Sequence, residues 1–313
     1  NIDPTVPGFV NQAADPDAGV NFKYGITSNL TADFTVNPDF SQIESDRPQI
    51  EVNRRYPLFF SELRPFFVEG AEIFNIVAPV TFVHTRTIVD PDYGAKLSGQ
   101  LGRFSLGVLT ANDRAPGKVD DTSDPAFSQE AQTLITRVRY DLYAESHLGA
   151  IVTNREFLDD HSRVFGLDGN FRLSPTIVAD FRLVGSSYKN HSEKESDGHM
   201  VSSRIVQNSR NLRWTLFAFQ VSPEFDTDVG FVRRRGYRNL TSDLGYQFWP
   251  ENRVINWGPE INYTRNYDYE GTLQDENVGL QLAFTFARNI TLNANVNRDM
   301  ERFGGINFHQ KGF

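Results

Sequence analysis

Three groups of residues in this chain could do chemistry. Asp159-Asp160-His161 sets two carboxylates beside an imidazole, the minimum for an acid–base pair or part of a metal site. Asp15-Pro16-Asp17 and Asp90-Pro91-Asp92 could lend carboxylate and carbonyl oxygens to calcium. Glu44 and Asp46 stand two apart, as paired carboxylates can in acid–base catalysis. Each falls short. The first group lies in a predicted long loop, where charged side chains are readily solvated. Asp-Pro is a common turn former, and each pair supplies far fewer oxygens than calcium takes. Nothing in the sequence positions a base or nucleophile against Glu44 and Asp46. The six His are scattered, with no i, i+4 pair suited to zinc. There is no cysteine, which removes thiolate ligands, disulfides and cysteine nucleophiles. No phosphate-cradling glycine loop or Gly-x-Ser-x-Gly elbow occurs. The expectation is a protein that is not an enzyme, with no catalytic residue, cofactor or metal.

Charge and composition narrow the partners. The chain of 313 residues carries 31 Lys+Arg against 40 Asp+Glu, a net charge of −9. A nucleic-acid binder needs a basic face, so nucleic acid is excluded. The densest basic run, Arg233-Arg234-Arg235, reads as a solvated loop. No stretch approaches the roughly 20 apolar residues of a membrane-crossing helix. A barrel escapes that test, because only alternate residues of its strands face lipid.

The elements that must position any site are strands. Val20, Phe22, Tyr24 and Ile26 alternate with Asn21, Lys23 and Gly25, and Leu30, Ala32, Phe34 and Val36 repeat the pattern. So do Tyr93–Leu101, Ile177–Leu183, Val278–Phe286 and Ile290–Val296. Strict period two means strands with one apolar and one polar face. The polar register carries Asp33, Lys96, Arg137, Arg139, Asp141, Asp168, Arg172, Asp180, Arg182, Asp243, Glu260 and Gln281. A water-filled lumen accepts such mixed charge, and so does the outside of a soluble sandwich. Connections and strand lengths separate the two. Short turns near 28–29, 102–103, 144–146, 174–175, 210–211, 250–252 and 288–289 alternate with predicted long loops at 37–80, 111–130, 155–162, 188–198, 223–236 and 267–276. Transmembrane barrels keep tight turns at one end and long loops at the other. Predicted strands of roughly 9–13 residues match a tilted crossing of a bilayer. Aromatics near strand ends, such as Phe248, Trp249, Trp257, Tyr263, Tyr267 and Tyr269, suit interfacial girdles.

One segment breaks the alternation. Residues 40–74 are too apolar and aromatic for a free loop, and a connection of that length is usually functional or structured. Two readings stand. The segment enters the lumen as a partial plug, where Glu62, Arg64, Glu69 and Glu72 meet lumen charges such as Arg137, Arg139, Asp180 and Arg182 while its Phe residues pack on each other. Alternatively it forms an extra hairpin, with Ile50, Val52 and Arg54 on a strand. The run Tyr24-Gly25-Ile26-Thr27-Ser28-Asn29-Leu30-Thr31-Ala32-Asp33-Phe34-Thr35-Val36-Asn37-Pro38-Asp39-Phe40-Ser41-Gln42-Ile43-Glu44, with Leu58-Phe59-Phe60 and Arg64-Pro65-Phe66-Phe67-Val68-Glu69-Gly70, resembles a family of bacterial outer-membrane barrel domains of unknown function. The resemblance covers about residues 20–74. Members usually follow a family-9-type carbohydrate-binding module; none is expected within these 313 residues, so sugar binding does not carry over.

The expected fold is therefore all-β: a transmembrane antiparallel up-and-down β-barrel of about 14–16 strands, incomplete at one or both ends. Residues 1–19 form a lead-in and 20–313 the barrel. Asn1 is not Met, and Gly305-Ile306-Asn307-Phe308 opens a strand near the end, as in a mature or truncated portion of a longer protein. The expected place is the outer membrane of a Gram-negative bacterium, with lipid and a small polar solute such as a saccharide as partners. The expected role is a pore, transporter or surface-binding platform. Alternatives are a soluble secreted β-sandwich that binds carbohydrate, and a scaffold with partner proteins in an outer-membrane assembly.

Overall fold

The computed structural model describes residues 19–38, 58–190, 194–250 and 252–312. The sequence candidates Asp15, Asp17, Glu44 and Asp46, and the alternative hairpin at Ile50, Val52 and Arg54, lie outside them.

The described residues form fifteen strands in one antiparallel sheet, each paired with its neighbours in sequence. They are β1 (Val20–Thr27), β2 (Leu30–Val36), β3 (Pro91–Leu101), β4 (Phe104–Asp113), β5 (Ala131–Asp141), β6 (His147–Phe157), β7 (Asp160–Arg172), β8 (Ile177–Lys189), β9 (Ser196–Asn208), β10 (Leu212–Val221), β11 (Tyr237–Tyr246), β12 (Val254–Asp268), β13 (Leu273–Phe286), β14 (Ile290–Phe303) and β15 (Ile306–Gly312). This is the up-and-down wall of a barrel, not two sheets packed face to face. Among the described residues β1 and β15 each pair on one side only. The central strands are long: β7, β8 and β9 have 13 residues each and β12 has 15.

The expected loop asymmetry needs correction at two places. The connections from β2 to β3, β4 to β5 and β10 to β11 are long and leave the same end of the sheet. The predicted loops at 155–162 and 267–276 are instead tight hairpins, of residues 158–159 and 269–272. The polar residues that suggested loops there belong to strand ends, where ladder hydrogen bonds satisfy the backbone and the side chains stay wet. Asp160 and His161 open β7, and His161 Nε2 lies 3.4 Å from Ser187 Oγ.

Burial runs opposite to that of a water-soluble sheet. On β7, Asp168 is buried while Phe165 is 56% exposed. On β8, Asp180 and Arg182 are buried while Leu183 is 48% exposed. On β5, Arg137 is buried while Leu134 is exposed. Residues 58–90 and 222–236 pack on the charged face, hereafter the inner face.

Candidate functional site on the inner face

The inner face carries ion pairs within a strand, between neighbouring strands and across an intervening strand. Asp33 of β2 and Lys96 of β3 are directly opposite and lie 3.5 Å apart. Arg137 of β5 reaches past β6 to grip Asp168 of β7 with two bonds, at 2.5 and 2.8 Å. Gly149 of β6 makes this reach feasible, because a Cβ at that position would collide with the Arg137 guanidinium. Asp180 of β8 takes Arg182 on one oxygen and Arg204 of β9 on the other, the latter at 2.8 Å. Arg139 pairs with Asp141 at 3.2 Å. Buried charges are tolerated when they are paired and bidentate in this way.

A stripe of apolar residues crosses the same face. Leu109, Ile135, Ile151, Val164, Val184, Met200 and Val221 come from β4 to β10 and are nearly fully buried. Residues 58–90 cover it. Phe67, Phe74 and Ile88 pack with Leu109 and Ile135, and Val80 and Phe82 pack with Ile151, Val164, Val184 and Met200. Glycines on the strands make room. A Cβ at Gly107 would lie 2.7 Å from the Phe74 ring, and one at Gly94 2.9 Å from Phe66.

Polar contacts fix the ends of this insert. A short helix, α1 (Pro65–Val68), ends against Lys96, whose ammonium donates to the carbonyls of Phe66 at 2.5 Å and Glu69 at 2.6 Å. A cation at helix-terminal carbonyls satisfies acceptors the helix leaves open. Buried Asp113 accepts the backbone N–H groups of Val89 and Asp90 at 3.1 and 2.8 Å and so fixes the exit into β3. The 222–236 loop joins from the other side. Thr81 and Phe231 form an antiparallel bridge, and the Asp228 N–H donates to Ser162 Oγ at 2.9 Å.

The sequence-predicted site residues sort into separate groups. Glu62 and Arg64 pair with each other at 2.7 and 2.8 Å, and Arg64 also donates to the carbonyls of Thr85 and Ile88. These bonds knit the insert together. Burial works against the Glu62 carboxylate, but hydrogen bonds from Arg64 and Thr85 outweigh it and lower its pKa to about 2. Glu69 does meet the wall, through Lys23 of β1, whose ammonium holds its carboxyl below the usual range. Glu72 is exposed. The insert's Phe rings pack on the apolar stripe more than on one another, although Phe66 and Phe67 do meet edge to face. Arg137, Arg139, Asp180 and Arg182 belong to wall pairs.

Other candidates resolve differently. Asp90 and Asp92 hold Arg114, each at 3.3 Å, and Asp90 also holds Lys118 at 2.6 Å. Arg234 is not a solvated loop residue: it pairs with Asp275 at 3.3 Å and covers the Tyr237 ring. Among the described residues no group of three or more His, Cys, Asp and Glu is placed to hold a metal. Sequence reasoning missed the apolar stripe and the glycines. The signal was present: Leu134-Ile135, Ile151-Val152, Leu183-Val184 and Met200-Val201 are apolar pairs that break the alternation at mid-strand.

Residues 9–82 match the family model described as Domain of unknown function (DUF5916). No curated protein matches. Among solved structures, Pseudomonas aeruginosa OpdK with vanillate is similar with a TM-score of 0.40 and 12% identity, over 94% of this chain and 89% of that one. P. aeruginosa OccK11 (OpdR) gives 0.40 and 12%, over 74% of this chain and 73% of that one. Acinetobacter baumannii OccAB2 gives 0.32 and 10%, over 90% and 80%.

Proposed function

We propose that this chain is an outer-membrane β-barrel channel for small polar solutes, narrowed by residues 58–90 and 222–236. The observation that carries the reading is the inversion of the two faces. Leu134, Phe165 and Leu183 point away from the covered face, while Lys96, Arg137, Asp168, Asp180 and Arg182 point into it. Each large apolar side chain left in water forgoes roughly 1.5–3 kcal/mol, so a face covered with them needs lipid. Closed barrels and helices are what lipid accepts, because every backbone group must be bonded.

The insert supports selective passage over a wide-open pore. It covers the stripe from β4 to β9 and leaves paired charges beside its path. Small polar solutes suit a lumen of alternating Arg and Asp. Saccharides are the first to test, given the carbohydrate-binding module that usually precedes the domains this chain resembles. The test is single-channel current in planar bilayers, for the intact chain and for a variant lacking residues 40–74. The intact chain should conduct weakly and the variant more. Absence of any conductance from folded protein defeats the channel, and an unchanged current after deletion defeats the narrowing role of the insert.

A further inference from the structure

The outer face of the sheet differs from one end to the other. Toward the short turns it is aromatic. Phe248, Trp257, Phe284 and Phe286 stack in series, with ring centroids 4.4, 5.8 and 6.2 Å apart, and Phe104 meets Tyr140 at 4.8 Å. Toward the long connections it is basic, as the register shows. Leu183 of β8, exposed on the outer face, is directly opposite Val201, Val201 is opposite Gln220, and Gln220 is opposite Arg238 of β11. Directly opposite residues share a face, so Arg238 points outward. Arg265 of β12 does so because it is opposite exposed Leu240, and Arg298 of β14 because it is opposite exposed Val278. Lys311 of β15 is directly opposite Arg298. Arg163 shares the outward register of Phe165 on β7, and Lys189 that of Leu183 on β8. All six lie in the half of the sheet nearer the long connections. Among the described strand residues, the outward register of the other half has no Lys, Arg, Asp or Glu.

The protein itself matches only part of this charge. Arg163 pairs with Glu156 at 2.7 Å and Arg265 with Glu276 at 2.6 Å. Lys189, Arg238, Arg298 and Lys311 have no carboxylate partner among the described residues, in a chain whose net charge is −9. Arg238 lies over the Tyr269 ring at 4.6 Å. Stacking of this kind occupies the flat face of a guanidinium and leaves its in-plane N–H groups for other acceptors. Arg298 and Lys311 set like charges directly opposite each other, which is unfavourable until an anion lies between them. Toward the middle of the sheet the same face turns aliphatic, with Leu240 after Arg238 and Val296 before Arg298. Basic side chains at such a border lay their stems on apolar surface and hold their charge at headgroup level. Long connections mark the outward-facing end of a membrane barrel, so the basic rim meets the outer leaflet.

We infer that this rim binds the anionic, phosphate-bearing headgroups of outer-leaflet lipids, with Arg238 and the Arg298–Lys311 pair as its principal donors. Phosphate oxygens accept charge-assisted bonds from both kinds of cation. The inference rests on the outer-membrane reading of the sheet and not on conduction. Protein reconstituted in phosphatidylcholine vesicles is supplied with spin-labelled phosphatidic acid or spin-labelled phosphatidylcholine, and electron paramagnetic resonance reads the fraction of each held at the protein. Phosphatidic acid should be enriched about fivefold, the effect of one basic residue near an anionic surface. The triple variant Arg238→Gln/Arg298→Gln/Lys311→Gln should bring the two lipids to near parity, whereas Trp257→Leu at the aromatic end should leave the enrichment intact. Should the triple variant fail to fold, Arg238→Gln and Lys311→Gln should each lower the enrichment singly. Sodium phosphate should displace the labelled lipid no better than sodium chloride of equal ionic strength. Displacement by phosphate alone would make this a site for the free anion and overturn the lipid assignment. Parity of the two lipids at the unaltered protein overturns the inference, as does enrichment that survives in the folded triple variant or disappears in Trp257→Leu. Those results leave a membrane barrel standing, whereas protein that stays monodisperse without detergent and does not enter vesicles refutes both.

Discussion

Arg137, Gly149 and Asp168 show how a single missing side chain organises charge on the wall. The guanidinium lies over the glycine and makes two bonds to the carboxylate beyond it. Removing one partner strands the other in a buried site, at about 3–5 kcal/mol. Asp168→Leu should therefore destabilise strongly, whereas the double variant Arg137→Leu/Asp168→Leu should recover much of the loss. Gly149→Val should resemble the single variant, because it displaces the arginine without touching its charge. Guanidinium unfolding in lipid vesicles measures all three, and additive losses would refute the account. Glu62 gives the pH counterpart. Its pKa is depressed to about 2, so its contribution is present above the ordinary value near 4.5 and lost as pH falls toward 2. Asp228 acts in the opposite sense. Burial raises its pKa, Arg155 offsets part of this, and the cost of holding it ionised is relieved on acidification. Protease sensitivity of residues 58–90 should therefore rise between about pH 4.5 and 2, and Glu62→Gln should flatten that rise. A profile unchanged by the substitution would show that another group controls docking.

At the scale of elements, the insert and the strands fit each other sterically. Phe74 fits because Gly107 has no side chain, and Phe66 fits because Gly94 has none. Gly107→Leu should expel the 71–74 turn while leaving the wall paired, since the strand ladder does not depend on that side chain. A Cys at position 74, inert to a water-soluble maleimide in the parent, should react in the Gly107→Leu background. Continued protection would show that the insert is held by its ends alone. This coupling also marks where sequence was legible and where it was not. Period two located the strands, because in lipid the outward residue of each pair must be apolar. It also put Asp33, Lys96, Arg137, Asp168, Asp180 and Arg182 on one face, and they share it. It also places Ile135 with Arg137 and Val184 with Arg182, but does not show why apolar residues should sit on a charged face, because an inward apolar residue is explained only by what covers it. Nor could it pair Glu62 with Arg64 while discounting Arg137, a choice made by how residues 58–90 fold back. Short strand-end hairpins at 158–159 and 269–272 read as long loops because polar residues on a wet strand end look like loop residues.

For the whole molecule, the proposal that the two faces of one sheet meet different solvents can be tested with one substitution on each face. Leu183 and Arg182 are adjacent on β8, one exposed and one buried. If the outer face lies in lipid, a charge there is penalised by depth, about 2–4 kcal/mol near the midplane. Leu183→Arg should then impair assembly into bilayers, while leaving the ladder to β7 and β9 chemically able to form. A change of the same size on the inner face should instead alter which ions pass. Asp243 of β11, whose carboxylate accepts from Asn262 of β12 on the inner face, is the informative choice. Asp243→Asn removes a negative charge from the inner face, so the reversal potential in a KCl gradient should shift toward anion preference. A water-soluble sheet predicts the reverse on both counts. An outward arginine would then be harmless in plain buffer, and no ionic current would exist to shift. Leu183→Arg folding normally without detergent would therefore remove the membrane from the account. Normal assembly of Asp243→Asn with an unchanged reversal potential would separate the inner face from the conduction path.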